Sequence, residues 1–126
     1  MAQPPSSSQE VHTRDDLIAG DFPIITDEVI LFAGQNRTRG AVLGRITATG
    51  KYVHVDDSAV DGSEVARAVL IEDTDATAAD KTNTPVYFSG EFNVNKLNFG
   101  GGDVAADHID NMRALAMFQK TPVKDS

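Results

Sequence analysis

From Leu17 onward, short apolar runs alternate with turn formers. Gly20, Pro23, Gly34 and Gly40 punctuate Ile24-Ile25 and Val29-Ile30-Leu31-Phe32. Residues 40–49 are rich in branched side chains and bounded by glycines, and Gly50-Lys51 leads into Tyr52-Val53-His54-Val55. There the alternation predicts a strand with Val53 and Val55 on one face and Tyr52 and His54 on the other. Residues 56–62 form a turn cluster, residues 65–71 read as a strand, and residues 72–83 as an acidic, Ala/Thr-rich loop. Residues 85–89 and 91–99 read as two further strands joined at Gly90. Short strands with frequent turns predict a compact, mainly β domain.

One helix is expected late, over about residues 103–118. The glycines at 100–102 break the strand pattern, and Asp103 is placed to N-cap a helix starting there. Ala105, Ile109, Met112, Leu115 and Ala116 then recur at helical spacing, a stripe that suits core or subunit interface better than a cofactor box. Pro122 stops the pattern, which leaves residues 121–126 as a tail. At the other end, residues 1–16 contain only Met1, Ala2 and Val11 as apolar residues. Nothing there repays the entropy of ordering. The segment reads either as a binding arm, reaching ~50 Å when extended, or as a passive tail. The domain proper is expected over 17–120.

Composition narrows the function. Among 126 residues, Asp plus Glu is 19 and Lys plus Arg 11, a formal charge of −8. That balance disfavours a nucleic-acid groove or an anionic membrane surface, both of which need clustered positive charge. Cysteine is absent, so disulfides, thiolate metal sites and thiol catalysis are excluded. No apolar run approaches the roughly 20 residues of a membrane span, and residues 1–10 lack the apolar centre of a signal peptide. A soluble, acidic protein made in a cytoplasm is expected. Aromatics are only 6% and there is no Trp, while Ala supplies much of the apolar share. Burial of Ala contributes little per residue, so support from an oligomeric interface is expected.

Local motifs for chemistry fail one by one. Gly44 and Gly50 enclose five residues rather than four, and Tyr52 stands where a phosphate loop needs Ser or Thr. At the 100–102 glycines, Asp103 occupies the place of an anion, and its carboxylate is expected to satisfy the free amides itself. Aligning Asp57, Asp61 and Gly62 with a calcium loop puts Ala59 and Ala68 at ligand positions. Glu72, Asp73 and Asp75 suit a solvated loop or a loosely held cation. His12, His54 and His108 are scattered, which gives zinc no support. Neither GxSxG nor SxxK occurs. Asn36-Arg37-Thr38 matches a glycosylation acceptor but lacks a secretory context. No catalytic residue, cofactor site or metal site is expected.

Three segments carry a resemblance. They are Gly40-Ala-Val-Leu-Gly-Arg-Ile-Thr-Ala-Thr-Gly-Lys-Tyr-Val53, the run from Asp61-Gly-Ser-Glu-Val through Glu72-Asp-Thr-Asp-Ala-Thr-Ala-Ala-Asp80, and Val86-Tyr-Phe-Ser-Gly-Glu-Phe-Asn93. In order and spacing they resemble the head decoration proteins of tailed phages, the family of lambda's protein D, over roughly residues 17–118. The resemblance implies a trimeric, β-clip-like domain on the outer surface of the icosahedral head, made in the bacterial host. Its partner would be the major capsid protein of the expanded shell at local three-fold positions, stabilised there against packaged DNA. It implies no enzyme activity and no direct contact with nucleic acid or membrane.

On that reading Val11, Leu17, Ile18, Phe22 and Ile24 are candidate capsid anchors of the arm, which can add a strand to a capsid edge. Val65, Val69, Ile109 and Met112 are candidate trimer contacts. Two rivals stand beside it: a small oligomeric β-clip enzyme acting on nucleotides, and an adhesion module on the head surface. The first would be revived by magnesium-dependent nucleotide binding, the second by binding of coated heads to cells.

Overall fold

A computed structural model of the chain describes residues 17–121. It contains eight strands: β1 (Ile25–Leu31), β2 (Gln35–Arg37), β3 (Val42–Arg45), β4 (Tyr52–His54), β5 (Ala66–Leu70), β6 (Thr74–Ala76), β7 (Lys81–Asn93) and β8 (Met117–Lys120). One short helix, α1 (Ile109–Ala114), lies between β7 and β8. The fold is mainly β with a C-terminal helix, as the hydrophobic pattern predicts.

The main sheet runs β1-β4-β3-β5-β7-β8, and β1 also pairs with β7. That extra pairing closes a ring through β1, β4, β3, β5 and β7 into a small barrel. Its interior holds Leu31, Leu43, Tyr52, Ala68, Leu70 and Val86, at least one residue from each strand of the ring. Small residues such as Ala68 fit because so narrow a barrel has little room. A second cluster covers the outer face of β3 and β5: Val42 and Val69 pack with Leu17, Phe92, Leu97, Met112 and Met117. β3 and β5 are therefore buried on both faces, which explains their unbroken apolar reading. A separate polar ribbon pairs β2 with β6.

Several boundaries differ from expectation. The acidic loop over 72–83 contains β6 and the start of β7. The two strands expected around Gly90 are one thirteen-residue strand. Gly90 sits inside it at φ +148°, a conformation that lets the strand bend without breaking. Beyond Asn93 the chain leaves the sheet in a single 3-10 turn, Val94–Lys96. The helix is six residues long, after a 3-10 turn at Ala105–Asp107. It ends because Ala116 turns left-handed, at φ 64°, and delivers Met117 to a parallel pairing with Gly90. Tyr52 faces the barrel interior, whereas Val55 lies past the end of β4 in the outer cluster. Tyr52 and Val55 thus lie on opposite sides of the sheet, as the alternation predicts.

Candidate docking surfaces and polar clusters

Residues 17–23 form a strap sewn to β7. Ile18 bridges Phe92 in antiparallel sense. Asn93 N–H donates to Leu17 O, and Ala19 N–H to Glu91 O, each at 2.8 Å. The Glu91 carboxylate reaches back to accept Phe22 N–H at 3.1 Å and lies 3.6 Å from Lys120 Nζ. Those contacts, the Phe22 amide foremost, hold its carboxyl below the ordinary value. Gly20 makes this close approach possible, since a Cβ there would collide with Glu91 Oε1. The Phe22 ring meets Phe118 edge-on with centroids 4.9 Å apart.

The strap sorts the candidate anchors by exposure. Leu17 is fully buried in the core, and Ile18 and Phe22 are half-buried against β7 and β8. Ile24 is exposed, as is Ile25, which opens β1. Val11 lies outside the described residues. Residues 25–28 of β1 are exposed and pair with β7 along one edge, whereas β1 meets β4 only at Leu31↔Tyr52. Among the described residues, the first half of β1 is therefore an open strand edge.

The nominated trimer contacts also divide. Val69 and Met112 are completely buried within this chain, while Val65 and Ile109 are half-buried. Val65 lines a groove of about 390 Å³ together with Arg67, Asn111, Ala114 and the exposed Leu115. Asn111 fixes α1 beside β5: its Oδ1 accepts Ala66 N–H at 2.6 Å and its Nδ2 donates to Ala66 O at 3.1 Å. Helical periodicity places Asn111 off the apolar stripe. Its role as a surrogate strand partner has no local signature.

Asp103 does not cap α1, nor do the glycine amides turn to it. Its Oδ2 accepts Asp57 N–H at 2.8 Å and pairs with His108 Nε2 at 2.6 Å, with the Asp103 and His108 side chains only 3% and 2% exposed. The His108 ring stacks on Phe99, with centroids 5.5 Å apart. Burial raises the Asp103 carboxyl, but the hydrogen bonds from His108 and Asp57 outweigh it and hold the group below its ordinary value. Asp56, Asp57 and Asp103 offer oxygens within 4.8 Å of one another. Asp57 is pushed up, chiefly by its hydrogen bond to Asp103. Asp61, paired with Asp57 in the rejected calcium alignment, instead accepts both the amide and the hydroxyl of Ser63.

Some of these polar groups satisfy their own loop and others join distant segments. Ser58 and Ser63 hydroxyls donate to Asp56 and Asp61, and Ser89 Oγ to the carbonyl of Pro23, so these serines face acceptors other than an imidazole. Among the described residues no helix is long and apolar enough to cross a membrane.

The class defined by this architecture is a small, mainly β, barrel-like domain whose polar clusters brace its loops. The chain matches the family described as Bacteriophage lambda head decoration protein D over residues 7–118, and it belongs to that family. It is thus a structural component that decorates the phage capsid. Among curated proteins, none matches the chain.

Proposed function

We propose that the protein binds the outside of the expanded phage head as a trimer at local three-fold positions and stabilises the shell against packaged DNA. The observation that carries this reading is the family match, which begins at residue 7 and so takes in much of the arm as well as the barrel. The major capsid protein is the proposed partner. Val11 and its neighbours in the arm, continued by exposed Ile24 and Ile25, supply the contact, and backbone pairing supplies affinity. Leu17, Ile18 and Phe22 anchor the root of the arm to β7 and thereby set where it leaves the body. Val65 and Ile109 meet neighbouring subunits, supported from beneath by Val69 and Met112. Three arms on one rigid body multiply weak contacts when the capsid sites are correctly spaced. Expansion of the shell supplies that spacing.

Co-sedimentation with decoration-free heads tests this. The full chain and a form lacking residues 1–16 are compared on expanded and unexpanded heads. Saturable binding to expanded heads only, weakened by the truncation, is expected. Stopping the truncation at residue 16 leaves the strap on β7 intact, so lost binding reports the arm rather than a damaged body. Absence of binding by the full chain to the heads of its own phage would overturn the reading.

A further inference from the structure

A cleft of about 460 Å³ opens between β2, β4 and the turn at 100–101, with Phe32, Arg37, His54, Asp56, Asp61 and Gly101 among its lining residues. Among the described residues that line it, Arg37 is the one cation, and a hydrogen bond orients it. Arg37 Nε donates to Gln35 Oε1 at 2.8 Å, and the same oxygen accepts His54 N–H at 3.1 Å. The guanidinium is thus tied to both strands, while Nη1 and Nη2 have no partner among the described residues.

His54 faces the same space. Its Nε2 lies 3.2 Å from Asn98 O and 2.9 Å from Asn98 Oδ1. A backbone carbonyl can only accept, so Nε2 carries the proton and Nδ1 keeps its lone pair. Burial pushes the imidazole below its ordinary value despite the Asn98 contacts, and the Arg37 charge adds to that effect. The ring is neutral at pH 7, and Nδ1 is an acceptor without a donor among the described residues.

The two aspartates of the cleft limit what can enter. Each uses Oδ1 on its own loop, Asp56 for Ser58 and Asp61 for Ser63. Among the described residues, neither forms an ion pair with Arg37. Their charges oppose anions, a dianion more than a monoanion, so a single carboxylate held directly on the guanidinium is the anion least disfavoured. An oriented guanidinium fork takes a planar carboxylate through two parallel hydrogen bonds.

We propose that this cleft binds a single carboxylate carried beside an amide N–H, as in an acidic side chain of a peptide or in an N-acyl amino acid. Arg37 Nη1 and Nη2 hold the carboxylate, and His54 Nδ1 accepts the amide proton. Phosphate and dicarboxylates are disfavoured by Asp56 and Asp61.

The test is a titration of the full chain followed by amide and arginine Nε–H resonances. The probes are N-acetylglutamate α-amide, its glutamine counterpart, and inorganic phosphate. Saturable shifts at Arg37 Nε–H, His54 and Gly101 are expected with the glutamate compound and not with the other two. Arg37→Lys keeps the charge but loses the fork, and is expected to weaken binding about tenfold while the rest of the spectrum stays in place. A short peptide with one central Glu then identifies the source. Tighter binding than the small compound points to a protein segment, and equal binding to a free small carboxylate. No saturable shift with the glutamate compound, equal response to the glutamine compound, stronger binding of phosphate, or undiminished affinity in Arg37→Lys would each overturn the proposal.

Discussion

The two halves of β7 are one strand by hydrogen bonding and two environments by packing. Its first residues, 81–83, are exposed, and Lys81 there pairs with Leu31 at the far end of β1, while the open first half of β1 pairs with residues 85–89. Its last residues, 89–93, are mostly buried, with β8 on one edge and the strap on the other. The difference teaches that strand formation here does not depend on burial: the exposed start is held by register with β1, and the buried end by β8, the strap and the packing of Phe92 in the outer cluster.

The largest effect that can break this contrast comes from truncating Phe92, which is completely buried. Phe92→Ala is expected to cost about 4 kcal/mol, whereas Thr82→Ala in the exposed half stays within about 0.5 kcal/mol. Denaturant unfolding of both variants measures this, and equal costs would abolish the distinction.

Next in size is the brace over the outer cluster. His108→Ala leaves Asp103 buried without its imidazole and is expected to cost roughly 3 kcal/mol. The same pair predicts a pH dependence. Because the folded-state carboxyl of Asp103 lies below its ordinary 3.8, its contribution is fully present above that value and is lost as pH falls through the lower folded value. Unfolding midpoints of Asp103→Asn and the parent should therefore converge under strongly acidic conditions.

Gly20→Ala sharpens the contrast more gently. The new methyl displaces the Glu91 carboxylate, the flexible end of a side chain, rather than any backbone. Hydrogen exchange is expected to quicken at Ala19 and Asn93, with little change at Thr84. The smallest effect is the titration of Glu91 itself. Its carboxyl is lowered from 4.5, so its grip on the Phe22 amide is complete above that value and is released as pH falls through the folded one. The Phe22 amide resonance should move over that range, and Glu91→Gln should remove the transition.

Much of the barrel is legible in the sequence because its strands are apolar. Val42, Leu43, Val69 and Leu70 announce β3 and β5 without help. β2 is not legible: Gln35-Asn36-Arg37 has no apolar member, and it is a strand only because β6 and the Gln35 bond to His54 make it one. Periodicity overextends the helix because Leu115 and Ala116 continue its spacing, while the pairing of Met117 with Gly90 is a tertiary event. Leu17, Ile18 and Phe22 can be recognised as apolar positions at the root of the arm. That they face β7 depends on contacts more than sixty residues away in sequence. Arg37 and His54 likewise meet only through folding. In the sequence one looks like part of a chance acceptor triplet and the other like one face of a strand.

Asn93 carries a topological consequence. Leu17 pairs with it from one side and Lys120 from the other, so the described chain enters and leaves the domain through strands flanking the same residue, on the order of 10 Å apart. A short linker from 121 to 17, with new termini opened at the exposed turn around Val60, would preserve every strand pairing. The order in which these segments succeed one another in the gene is thus not what determines the architecture, and a circular permutant should reach the same barrel.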